Sequence, residues 1–187
     1  INGGVGNYNT ERYVNNYLEN WSKLEFTDII INYFVNDAEF INTKKTNFFV
    51  KYTHTGVVVW KLINSLKSSL KKENLVNYYK KIYDKDQKGL IITKKELLNL
   101  TNFCKKKKMN CFLVNMPDIH QLNPYKLGFS NEIIKKNSLK IDLKYFDLLP
   151  TFNNLNKDQV WNKYNDPHPN EYAHSLIANA IFDYLNK

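Results

Sequence analysis

Apolar positions along the chain alternate between a helical period and short unbroken runs, so helix and strand patterns follow one another. Tyr13, Val14, Tyr17, Leu18 and Trp21 fall on one helical face, just after the turn-prone Asn7-Tyr8-Asn9-Thr10. Thr27-Asp28 then introduces Ile29-Ile30-Ile31-Asn32-Tyr33-Phe34, a β-branched run that predicts a strand buried on both faces, ending at Val35-Asn36-Asp37. Val59, Leu62, Ile63, Leu66 and Leu70 predict a helix over 56–71, and Leu75, Val76, Tyr79, Ile82 and Tyr83 another over 73–84. The stretch 40–92 is too long for a plain crossover and reads as a helical insertion or cap. Thr93-Lys94-Lys95-Glu96 has the form of a capping box opening a helix to about 107. Cys111 to Asn115 reads as a strand, Ser130 to Ser138 as a helix, and Lys144 to Leu148 as a strand. A last helix is expected from Pro169, with Tyr172, Leu176, Ile177, Ala180, Ile181, Tyr184 and Leu185 on its apolar stripe.

Strands separated by helical crossovers imply an α/β fold with a mainly parallel sheet, whose sites gather at the carboxyl ends of the strands. At 187 residues the chain is read as a single domain, 1–187, with a sizeable core, much of it aromatic: 14% is Phe, Tyr or Trp. The longest apolar stretch, Gly56-Val57-Val58-Val59-Trp60, stops at Lys61 and is far too short to span a bilayer. Ile1-Asn2-Gly3-Gly4 is no signal peptide, and neither compartment nor oligomeric state is readable.

The formal charge of +9 is nearly all Lys, with Arg12 the sole Arg. That disfavours a nucleic acid partner, because base and phosphate readers rely on Arg forks. The run Lys105-Lys106-Lys107-Lys108 falls at a predicted helix end, where cations complement the helix dipole. Cys104 and Cys111 lie in no CxxC or Cys/His ligand spacing, which argues against a zinc site or disulfide framework and leaves one bridge between them open.

Three polar segments sit at or near predicted strand ends. In Asn2-Gly3-Gly4-Val5-Gly6-Asn7-Tyr8-Asn9-Thr10, glycines before a helix let backbone N–H groups approach an oxyanion, although any tight turn also favours glycine. In Val35-Asn36-Asp37 the Asn36 amide can donate to a developing oxyanion, or the pair can simply form a turn. In Asn165-Asp166-Pro167-His168-Pro169-Asn170 the prolines restrict the backbone around His168. Asp166 can hold one ring nitrogen so that the other acts as a base; alternatively Asp166 or Asn170 caps the following helix. Asp118 and His120 have the same spacing after another strand end and are read as loop-structural, with His120 a candidate substrate-binding residue. His54 and His174 are read as structural.

Together, GVGNYNT, NYFVNDAE, NYYKKIYDKDQKGL, MPDIHQL, FDLLPTF and VWNKYNDPHPNEYAHSLIANAI resemble the later blocks of a bacterial GDSL-like subgroup of the SGNH hydrolase superfamily. The resemblance covers nearly the whole chain. It implies a three-layer α/β/α sandwich of flavodoxin-like type and a serine esterase forming an acyl-enzyme. An O-acyltransferase acting on a carbohydrate, or a catalytically inactive binding protein of the same fold, are the alternatives. It further implies His168 as base, Asp166 as its orienting acid, Asn36 as side-chain oxyanion donor and Gly6 or Asn7 as backbone donor. The family often has glycine where Asn7 falls, and its acid commonly lies three residues before the His, where this chain has Asn165. The substrate implied is a small-molecule or carbohydrate ester, with no metal or organic cofactor. The nucleophilic serine is expected upstream of Ile1, since no serine here sits in a Gly-Asp-Ser turn. Absence of the first strand is then expected to leave a gap in the sheet centre, and the chain as written to be inactive.

Overall fold

The structure is a computed structural model that describes residues 1–41, 74–120, 122–164 and 166–186. The expected helix over 56–71, and His54, lie outside the described residues. Helix α1 (Thr10–Asn16) continues through a π-helical turn to Trp21, burying Val14 and packing Tyr13, Tyr17 and Leu18 on the core. Strand β1 (Asp28–Tyr33) follows, then a 3-10 turn, Val35–Ala38. Two helices, α2 (Leu75–Ile82) and α3 (Lys88–Lys107), lead to β2 (Asn110–Asn115). Beyond them lie α4 (Gly128–Lys140), β3 (Lys144–Asp147), the short α5 (Lys157–Val160), the hairpin β4 (Trp161–Lys163) and β5 (Asp166–Pro169), and α6 (Glu171–Leu185).

The fold is mixed α/β, as expected. β1, β2 and β3 form a three-stranded parallel sheet in that order, with Asp28 opposite Asn110 and Tyr33 opposite Asn115. Parallel strands need helical crossovers, here α2–α3 and α4. All three carboxyl ends therefore lie on one edge of the sheet, where Met116 donates its backbone N–H to Tyr33 O and Leu148 to Asn115 O. Alternate residues of β2 serve different core clusters. Cys111 and Leu113 join Val14, Leu97, Leu100 and Ile134, whereas Val114 joins Phe152, Val160, Ala173 and Ile177. Tyr184 of α6 stacks on Phe146 at 4.4 Å.

Four expectations need correction. First, the sheet has no central gap, because β1 and β2 pair directly over six residues. Second, β1 is not buried on both faces. Ile31 and Tyr33 are buried, but Asp28, Ile30 and Asn32 are exposed, Ile30 by 41%, as on a strand at the end of a sheet whose second face is uncovered. Third, Thr93 opens no helix. α3 starts five residues earlier, and Thr93 is buried mid-helix with its hydroxyl donating to Asp37 O at 3.4 Å. A tertiary acceptor outcompetes the local capping pattern there. Fourth, Pro169 is not the first residue of α6. It ends β5, and Asn170 caps the helix by accepting the Ala173 N–H at 2.9 Å.

The lysine run does close α3, where Lys108 takes a left-handed conformation (φ 57°) and Lys105 pairs with Asp142 at 3.0 Å. In the described part of 40–92, Tyr79, Tyr83 and Leu90 are buried in the main core.

Candidate functional site

The first oxyanion segment is organised by a four-residue turn in which Tyr8 N–H donates to Val5 O at 3.3 Å. Asn7 occupies its third position with φ 63°, a left-handed conformation that glycine adopts without strain and asparagine tolerates. Gly6 and Asn7 are exposed.

Asn9 closes the segment by serving two elements. Its Oδ1 caps α1 by accepting Arg12 N–H at 3.1 Å, and its Nδ2 donates to Glu39 O at 2.9 Å. The Thr10 hydroxyl donates to Asp37 O at 3.1 Å, and Thr93 reaches the same carbonyl from α3. The turn carrying Asn36 is thus pinned from both helices, through Asn9 and Thr10 on one side and Thr93 on the other. Asn36 itself is exposed, and among the described residues only its carbonyl is engaged, by Glu39 N–H at 2.9 Å.

Asp37 is the turn's internal lock. Its Oδ2 accepts Phe34 N–H at 3.0 Å, and the side chain is buried. Burial, with a smaller contribution from Glu39, pushes its carboxyl up to about 7 despite that bond. Beneath it Tyr33 and Tyr83 share a 2.6 Å hydrogen bond, and the Tyr83 hydroxyl donates to Val35 O at 2.9 Å. Gly89 lets α3 approach this turn: a Cβ there would sit 2.1 Å from Ala38 O.

The base segment lies in the β4–β5 hairpin. His168 Nδ1 meets Asp166 Oδ1 at 2.5 Å, the same oxygen accepts His168 N–H at 3.2 Å, and Asn162 Nδ2 donates to Asp166 Oδ2 at 2.9 Å. Hydrogen bonds from Asn162 and then His168 hold the Asp166 carboxyl down at about 2. Asp166 therefore orients the ring, while Asn170 does the capping. The His168 side chain is 84% exposed, with Nε2 as its unengaged ring nitrogen.

Asp118 and His120 repeat this geometry. His120 Nδ1 contacts Asp118 Oδ1, which also accepts His120 N–H at 3.0 Å. Here the carboxylate is buried, and Asp118 N–H donates to the Tyr125 hydroxyl at 3.3 Å. Trp161 of β4, opposite Pro169 of β5, reaches this second dyad: its Nε1 donates to Ile119 O at 2.9 Å and its ring meets the His120 ring edge-on at 5.8 Å. Burial, then the Glu39 carboxylate, and less strongly Tyr78, Asp118 and Asp37, push the Tyr79 phenol above its usual range.

The structure thus brings Asp166 together with His168 and sets His120 against the hairpin; between the glycine segment and the Asn36 turn the contacts are those of Asn9 with Glu39 and Thr10 with Asp37, not of Gly6 or Asn7 with Asn36. No hydrogen bond joins the His168 ring to Asn36. A groove of about 810 Å³ lies along α1, lined by Glu11, Arg12, Asn15, Phe40 and Lys88 among others, and none of the candidate residues lines it. His174 is exposed on α6 rather than packed. Sequence reasoning missed Trp161 and Tyr125, whose contacts reach outside their own segments, and Asn162, although its partner Asp166 lies only four residues on. Asn9 and Thr10 were within a quoted segment, but their partners were not visible. Among the described residues no group of three or more His, Cys, Asp or Glu side chains is placed to hold a metal ion, and no helix is long and apolar enough to cross a membrane. Comparison with protein-family models, with characterised proteins and with solved structures gave no match.

Proposed function

We propose that this chain carries the base and oxyanion-binding parts of an SGNH-type serine ester hydrolase, with the described sheet and helices forming part of a three-layer α/β/α sandwich. The observation that carries the reading is the His168–Asp166 contact at 2.5 Å, which engages Nδ1 and leaves Nε2 facing outward. The pinned Asn36 turn on the same strand-end edge supports it, as does the left-handed backbone at Asn7.

The attacking hydroxyl in this reading is a serine outside the described residues. Ser130 and Ser138 are buried in α4, and the Ser22 hydroxyl donates to Leu18 O at 2.6 Å. His168 Nε2 takes the serine proton as the oxygen attacks the ester carbonyl. The Asn36 amide and the Gly6 or Asn7 N–H receive the oxyanion, and His168 returns the proton to the departing alcohol. Water then releases the acid from the acyl-enzyme; a sugar hydroxyl in its place gives acyl transfer.

Hydrolysis of an aryl acetate by the full-length protein tests the oxyanion assignment. Asn36→Ala is expected to lower kcat by about 10²–10³. Wild-type kcat in that variant refutes it.

A further inference from the structure

The amino ends of the three parallel strands form the edge of the sheet opposite the Asn36 turn, and the chain returns to it before every strand. The π-helical turn after α1 stops at Trp21 ahead of β1, α3 ends at Lys107 ahead of β2, and α4 ends at Lys140 ahead of β3. α6 points the same way, with Tyr184 of its last turn against Phe112 and Phe146. Asn110 ties the edge together: its backbone N–H donates to Thr27 O, its amide donates to Asp28, and its Oδ1 accepts from the Lys144 ammonium at 3.1 Å. Charge and apolar surface meet there. Lys23, Lys105 to Lys108, Lys140 and Lys144 are all exposed, and they outnumber Glu25, Asp28, Asp142 and Asp183. Helix C-termini converge on this edge, and cations complement their dipoles. That accounts for the lysines but not for two of their neighbours: Leu24, beside Lys23, is 50% exposed, and Leu139, beside Lys140, is 65% exposed.

We propose that this edge docks on the surface of an anionic lipid bilayer, with Leu24 and Leu139 entering the headgroup layer and the lysines meeting lipid phosphates. Lysine suits such a boundary, because its aliphatic stem lies along apolar surface while the ammonium stays at the level of the phosphates. A nucleic acid would meet the same lysines, but it offers Leu24 and Leu139 no apolar phase to enter. Arg12, the chain's sole Arg, sits in the first turn of α1, at the other end of that helix, and so supplies no phosphate fork here. Docked in this way, the protein turns its carboxyl edge and the Asn36 turn away from the bilayer. A substrate then reaches that edge from the aqueous side and is not the supporting lipid. The proposal is independent of the esterase reading, since docking is measured without turnover.

Vesicle flotation tests the surface, with phosphatidylglycerol and phosphatidylcholine in about equal parts, against phosphatidylcholine alone. The protein is expected to float with the first vesicles and not with the second. Lys23→Gln, Lys106→Gln and Lys140→Gln each remove one exposed charge from a different segment of the edge. At about fivefold per lysine, the triple variant should bind about a hundredfold more weakly. Leu139→Ser keeps the net charge and should weaken binding by about tenfold, whereas Lys157→Gln, in α5, should leave it unchanged. All of these side chains are exposed or half-exposed, and circular dichroism checks that each variant keeps the fold. No flotation with the anionic vesicles, or flotation undiminished in the triple lysine variant, overturns the proposal. So does undiminished binding by Leu139→Ser, which would leave charge alone at work. Tighter binding of a DNA duplex than of the anionic vesicles, lost in the same triple variant, assigns the edge to nucleic acid and overturns it too.

Discussion

Replacing Asp37 by Asn separates a buried charge from the turn it organises. Asn keeps an oxygen to accept Phe34 N–H but carries no charge. The folded carboxyl sits at about 7, against about 3.9 for an unfolded aspartate. Its value is raised, so the native state holds its proton longer than the unfolded chain does. The contribution is fully favourable below about pH 4 and is lost as pH rises through 7. About three pH units at about 1.4 kcal/mol each give at most about 4 kcal/mol of lost stability above pH 8. About 3 kcal/mol of that falls between pH 4.5 and 8.5. Glu39, also raised by burial, adds in the same direction, and Tyr13, Tyr33 and Tyr83, raised by burial too, stay neutral throughout. Asp28 and Asp166 are lowered by their hydrogen bonds, so they lose stability only towards acid, below the window. Urea unfolding across that window, followed by circular dichroism, measures the difference between the two proteins. The advantage of Asp37→Asn is expected to grow up to about pH 7 and then level off. Parallel pH profiles for variant and wild type would refute the buried-carboxylate reasoning.

Gly89→Ala places a Cβ 2.1 Å from Ala38 O, deep inside van der Waals contact, so α3 must shift from the Asn36 turn. Overpacking of this kind costs about 3 kcal/mol, readable as a lowered urea midpoint, whereas an unchanged midpoint would show the approach to be slack. At Asn7 the left-handed φ predicts that Asn7→Gly is neutral or slightly stabilising and Asn7→Val destabilises by about 1–2 kcal/mol; thermal unfolding of the pair checks the ranking.

What the sequence disclosed follows the range of the interaction involved. The strand Cys111–Asn115 and the alternation of helix and strand were legible because an apolar run or period is a local signal. The Asp166–His168 pair was legible for the same reason, its partners being two residues apart. Ile30 shows the limit: a β-branched run announces a strand, but not whether a helix covers its second face. Thr93 and Pro169 each matched a sound local rule, and each was overruled by a competing partner: the Asp37 carbonyl for one, the Asn170 cap for the other. The cluster of Trp161 with His120 joins residues about forty positions apart, and nothing in either segment names the other.

The account depends on His168 serving a serine hydroxyl, and covalent labelling tests this most directly. The protein in its natural reading frame is treated with a fluorophosphonate and examined by mass spectrometry. The account predicts one phosphonylated serine, with labelling abolished in His168→Ala and strongly slowed in Asn36→Ala. A protein that takes no label, or takes it equally well without the His168 imidazole, contradicts it.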